Sequence, residues 1–177
     1  HTNDRRQRQM CIRDRFINRF VAGNAKLLNT IKSNDIQVKL TVIDSIENFI
    51  EYEYNIDTNR YFYPASTVKL PIALFALEKL NENKVLSINT PFMLEDDTLK
   101  TTFKDELEKV FVLSNNQANN RFFEFTGQDY LNKKFISKGF FNSTIFHRLS
   151  SINSSKIEGK RVDFFTNDSI ISFQNNN

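Results

Sequence analysis

Two short stretches of period-two alternation stand in a chain whose remaining hydrophobic pattern is helical. Ile36, Val38, Leu40 and Val42 alternate with Gln37, Lys39 and Thr41, and Ile50, Tyr52, Tyr54 and Ile56 alternate with Glu51, Glu53 and Asn55. Alternation puts successive side chains on opposite faces, so each stretch reads as a half-buried strand, and the short polar turn between them makes an antiparallel hairpin. Everything else with a clear period is helix. Ile17, Phe20, Val21, Leu28 and Ile31 predict an amphipathic helix from Phe16 to about Lys32. After Arg60 the segment YFYPASTVKLPIALFALEKLNENK predicts a helix that closes near Asn81, with Pro71 disturbing its first turns because it removes a backbone donor. Further helices are expected over Asp105 to Leu113, Gln117 to Thr126 and about Asp129 to Lys138, the last between Gly127 and Gly139, each a residue suited to the left-handed position that ends a helix. From His147 onward the period fades into Ser and Asn. The order predicts an α/β protein of the α+β kind, with helices packed on a small antiparallel sheet. A hairpin alone is too small to cover that much apolar helix surface, so later strands are expected to be missing.

Charge narrows the classes of partner. Of 24 Lys and Arg, five arginines lie in residues 1–15 together with two of the 21 Asp and Glu, which accounts for the whole net charge of +3 and leaves the remainder neutral. A basic patch confined to a leader gives a nucleic acid no surface on the fold, so no nucleic-acid partner is expected. The run RRQRQMCIRDR reads as sequence appended to the fold, or as a basic arm outside it, and the domain is expected over residues 16–177. Cys11, the single cysteine, lies in the same leader, so from Phe16 onward there is no thiol for a disulfide, a metal or nucleophilic catalysis. The longest apolar run, Leu70 to Leu77, is far shorter than the roughly 20 residues of a membrane-spanning helix.

The residues that can do chemistry are few. His1 and His147 are the only histidines, and no Gly-x-Ser-x-Gly turn, Gly-rich phosphate loop or metal-ligand pair occurs, so a Ser-His-Asp triad and a metal site are not expected. His147, between Phe146 and Arg148, reads as structural. Ser66 and Lys69 form Ser-x-x-Lys at the start of a helix, where residues three apart share a face with Cβ atoms roughly 5–6 Å apart. An amine there can take the hydroxyl proton once burial or a nearby cation lowers its pKa from about 10.4. Ser114-Asn115-Asn116 follows at a break between two helices: Ser114 can pass a proton onward, and Asn116 offers an amide donor and an acceptor. Taken singly, each motif is also what helix capping looks like.

In this order, Ser-x-x-Lys opening an apolar helix and Ser-x-Asn-x-Ala-x-Asn inside a helical region, the chain resembles the class A β-lactamase and penicillin-recognising serine hydrolase superfamily. The likeness runs through YPASTVKLP and SNNQANNRFFEFTG to Gly139 and the pair Arg148-Leu149, which is similar to the lead into that family's Ω-loop, and covers about Phe16 to Asn153. The resemblance implies an acyl-enzyme mechanism on a β-lactam or a peptidoglycan-type amide, with no cofactor and an extracytoplasmic location. It implies Ser66 as nucleophile and half of the oxyanion hole, Lys69 as base, Ser114 as proton shuttle, Asn116 as substrate contact and Asn120 in a structural role. Asn115 stands where class A enzymes carry aspartate. The family's deacylating glutamate falls near Asn153, which cannot act as a base, with Glu158 close by but out of register. Nothing in the sequence matches the third motif, Lys-Thr-Gly, so the expectation is an incomplete domain; the alternative is a catalytically silent cell-wall-binding or structural module on the same fold.

Overall fold

The structure, a computed structural model, describes residues 19, 21–43, 49–151 and 158–175. The chain divides into two units, residues 1–61 and residues 62–177.

In the first unit, helix α1 (Ala25–Ser33) precedes the antiparallel strands β1 (Val38–Ile43) and β2 (Phe49–Tyr54), paired from Val38 with Tyr54 to Ile43 with Phe49. The pairing is the one the alternation predicts, but β1 is not half-buried: Leu40 and Val42, expected on its covered face, are 45% and 41% exposed. Arg19, Val21 and Ala22 are helical as well, so the helix predicted as continuous from Phe16 to about Lys32 is interrupted at Gly23-Asn24, where Asn24 caps α1 by accepting from the Leu27 N–H at 3.0 Å; most of residues 16–20 and the turn between the strands lie outside the described residues. Val21 and Ile31 pack with Leu27, Leu28, Tyr52 and Tyr54, which uses one face of β2, while Lys39 bridges Glu51 and Glu53 on the other. Asn55, at φ 55°, ends β2 and ties back to the Ile36 carbonyl at 3.0 Å.

The second unit opens with a 3-10 turn (Ala65–Val68) leading into α2 (Lys69–Glu82). The tighter turn lies just before Pro71, where the sequence predicts an imperfect ladder. Strand β3 (Phe92–Leu94), helices α3 (Phe103–Leu113), α4 (Asn116–Thr126) and α5 (Gln128–Ser137), and strands β4 (Val162–Phe165) and β5 (Ile170–Phe173) follow. Thr102 caps α3 and Asn115 caps α4, accepting from the Asp105 and Ala118 N–H groups. Gly139 has φ 87°, as a helix end requires, whereas Gly127 combines φ 78° with ψ 149°, which is extended and not left-handed helical. A Cβ at Gly127 would also stand 2.7 Å from the Asn175 side chain, so two independent constraints hold this position to glycine.

The sheet expectation needs correcting. In place of one hairpin carrying all the helices, the described residues form two small antiparallel sheets, and the second, ordered β3-β4-β5, lies partly in the region after His147 where the pattern predicts no strand. These strands are three or four residues long, too short to display alternation; β4 and β5 form a tight local hairpin, whereas β3 pairs with β4 across a long stretch of sequence, Phe92 opposite Phe164. Helix α4 packs between α2 and α3. Phe92, Phe103, Phe122 and Phe164 are wholly buried, and with Phe125 and Phe173 they form a chain of ring contacts, centroids 5.0–5.9 Å apart, that seals α3 and α4 onto the sheet. Each such ring contributes roughly 1.5–3 kcal/mol on burial, so this cluster dominates the packing of the unit. Among the described residues no helix is long and apolar enough to cross a membrane.

Candidate active site

The site is built where the 3-10 turn meets the corner between α3 and α4. Lys69 is the first residue of α2, with only 4% of its surface exposed, and its Nζ reaches the Ser66 Oγ at 3.2 Å, the Ser114 Oγ at 2.9 Å and the Ser114 carbonyl. The two hydroxyls are themselves 3.4 Å apart, with Ser114 donating to Ser66. Three side chains brought from two separate motifs thus close a triangle. All three Lys69 partners are neutral oxygens, so nothing in this set offsets the cost of holding a charge away from water, and burial pushes the Lys69 ammonium below the usual lysine range.

The backbone on both sides of the triangle is strained. Ala65, directly before Ser66, has φ 46°, and Ser114 has φ 51° and ψ 38°, the left-handed region that favours glycine. Ser114 closes α3 as its C-cap, and the next residue opens α4, so one tight corner turns the hydroxyl and the carbonyl of Ser114 toward Lys69.

Asn115, where aspartate is expected, is the α4 N-cap; asparagine and aspartate do that task about equally well, so this departure leaves the local fold intact. Asn116 and Asn120 lie on one edge of α4. Asn116 Nδ2 donates to Ser150 Oγ at 2.8 Å, and Asn120 holds both backbone groups of Leu149, donating to its carbonyl at 2.8 Å and accepting from its N–H at 2.9 Å. One turn further, Glu124 takes Arg148 through two hydrogen bonds, and both side chains are buried. The sequence motifs do not single out Ser150 or Glu124. The signal that marks them is the four-residue spacing of Asn116, Asn120 and Glu124 on a helix, opposite Arg148-Leu149-Ser150 in consecutive order.

His147 stacks on Tyr63 with ring centroids 5.4 Å apart and lies edge-on to Phe146, and its Nδ1 is 3.1 Å from the Arg148 carbonyl. It does not join the Ser66 triangle in any of these contacts. Asn153 lies outside the described residues. Glu158 is exposed and offers its backbone carbonyl to Arg148 at 3.1 Å.

A family model described as the beta-lactamase enzyme family matches residues 24–171, well over half of the chain. The chain belongs to that family. The matched span runs from the Asn24 cap of α1 into β5 and takes in Ser66, Lys69, Ser114 and the whole polar edge of α4, while residues 1–15 lie outside it. No curated protein and no solved structure matches this member of the beta-lactamase enzyme family.

Proposed function

We propose that this member of the beta-lactamase enzyme family is a serine hydrolase that opens a β-lactam, or a peptidoglycan-type amide, through an acyl-enzyme on Ser66. The observation that carries the reading is the Lys69 contact with both serine hydroxyls, 3.2 Å to Ser66 and 2.9 Å to Ser114. In its neutral form the amine takes the Ser66 proton as Oγ attacks the carbonyl carbon, and Ser114 passes a proton to the nitrogen that leaves when the C–N bond breaks. Burial of Lys69 supports this because it raises the neutral fraction that can act as base. The Ser66 N–H, at the N-terminal end of the helical run, supplies one oxyanion donor. Asn116 receives the amide of the ligand, and Asn120, in a structural role, holds the Leu149 backbone.

Deacylation is the slow half. Neither the triangle nor residues 152–157 (INSSKI) carry a carboxylate to activate water. The expected outcome with a fluorescent penicillin is a stoichiometric adduct on Ser66 that persists while free substrate remains, absent in Ser66→Ala and slowed by roughly 10²- to 10⁴-fold in Lys69→Met, read by intact-protein mass spectrometry. Rapid steady turnover would move the assignment to an efficient β-lactamase. No adduct together with saturable binding of a cell-wall fragment would favour the second reading, a catalytically silent binding module, which rests on Asn153 standing where a deacylating carboxylate is expected.

A further inference from the structure

Ser150 has no part in the motifs, yet it lies against the side chain that the proposed function assigns to ligand binding. Its Oγ accepts from Asn116 Nδ2 at 2.8 Å, and both residues are accessible rather than sealed in the core. Its backbone, at φ 49°, is in the left-handed region that a serine rarely occupies. Such a conformation persists only where the surroundings over-determine it. Here they do: the two preceding residues are pinned to α4, Leu149 through both backbone groups to Asn120 and Arg148 through a buried ion pair to Glu124. The register of these contacts leaves Ser150 opposite Asn116, one helical turn nearer the N-terminus of α4.

A side-chain amide has two N–H donors and one acceptor, and a free asparagine can present either end to a ligand. With one N–H engaged by Ser150, the Asn116 amide is held in one orientation, leaving the second N–H and Oδ1 open. A secondary amide carries the complementary pair, one carbonyl and one N–H. We propose that Ser150 is a positioning residue of this site, holding the Asn116 amide ready for an acylamino group on the ligand; the proposal rests on the function assigned above. Orientation fixed before binding does not have to be imposed during it, so the benefit falls on affinity and not on the chemical step.

The test compares benzylpenicillin, which carries an acylamino group, with penicillanic acid, which has the same ring system without one, on the full chain and on Ser150→Ala and Ser150→Gly. Both variants lose the hydroxyl, but glycine also relieves the left-handed strain, so equal behaviour assigns the effect to the hydroxyl. The expected result is a roughly fivefold to tenfold weaker apparent affinity for benzylpenicillin in both variants. The limiting acylation rate should change little, and penicillanic acid should react as with the unaltered chain. Equal losses with both compounds, or losses in the limiting rate alone, overturn the proposal. The Asn116 side-chain N–H signals, followed by NMR, decide the matter even if no acyl-enzyme forms and the proposed function fails. A benzylpenicillin-dependent shift that weakens in Ser150→Ala supports the role of Ser150, and signals indifferent to both the ligand and the substitution overturn it.

Discussion

Ser114 shows how one residue can carry both a strained backbone and a chemical group. At φ 51° and ψ 38° its Cβ crowds the following carbonyl, a cost of roughly 1–2 kcal/mol that glycine would avoid. In exchange its Oγ lies 2.9 Å from Lys69 and 3.4 Å from Ser66. Replacing the serine by glycine or by alanine separates the two effects. Ser114→Gly is expected to be more stable than Ser114→Ala by about 1 kcal/mol in urea denaturation, because only the alanine keeps the strain. Both are expected to slow formation of the Ser66 adduct by roughly 10²- to 10⁴-fold, since both lose the hydroxyl to which the proposed mechanism gives the proton transfer. If the two variants melted alike, the left-handed corner would not be strained. Ser66, Lys69 and Ser114 could be picked out from the order of their two motifs and the family resemblance that order carries, although each motif taken singly also reads as helix capping. Ser150 could not, because its relevance comes from a contact with a residue 34 positions away.

At the scale of elements, α4 is the piece on which the site depends. One face of it is buried through Ala118, Phe122 and Phe125, while the edge bearing Asn116, Asn120 and Glu124 takes the chain from Arg148 to Ser150. The end of this edge is the strongest link: Arg148 and Glu124 are almost wholly buried, and Glu124 also accepts from the Lys160 N–H at 2.8 Å. Removing the guanidinium would leave a buried carboxylate without its counter-charge, and Arg148→Met is expected to cost about 3–5 kcal/mol of unfolding free energy. The paired substitution Arg148→Met with Glu124→Gln should recover part of that loss, as equilibrium denaturation would show. A second, half-buried network, with Arg121 paired to Asp97 at 2.9 Å and to the buried Glu106 at 3.2 Å, ties α4 to α3 and to the loop after β3. Helices α3, α4 and α5 are legible in the sequence to within about two residues at each end, because their apolar period and their caps agree. Strands β3, β4 and β5 are not, since a strand of three or four residues has no period to read and its stability comes from partners supplied by the fold.

Across the second unit as a whole, the pH dependence of stability traces to a residue far from the chemistry. Lys79 caps the end of α4, donating to the Phe125 and Thr126 carbonyls at 2.7 and 2.9 Å and to Asn175 Oδ1 at 3.1 Å. Burial pushes its ammonium down to about 8, against the raising pull of Glu82. A folded-state value below the unfolded one means that the unfolded chain binds more protons between the two, so stability rises with pH across that window. The expected result is a midpoint for urea unfolding that increases from pH 8 to 10, with a slope that largely disappears in Lys79→Met. Burial lowers Lys69 as well, which adds in the same direction. Tyr130, raised to about 12 by burial and by its hydrogen bond to Glu82, acts oppositely: its contribution is complete below its ordinary value of 10.0 and is lost only above it. The two effects therefore separate on the pH axis.

Residue order alone determined the period-two hairpin, the main helices and the two short motifs, because each depends on neighbours within a few positions along the chain. It also determined that the net charge resides in residues 1–15. Only the tertiary structure decided that Ser66, Lys69 and Ser114 meet, that β3, β4 and β5 pair into a second sheet, and that Arg148, Leu149 and Ser150 lie in register along α4. Apart from the local β4–β5 hairpin, these features join segments that are distant in sequence. They form because burying the phenylalanine cluster and satisfying the buried polar groups fixes how those segments pack, and no local pattern records that requirement.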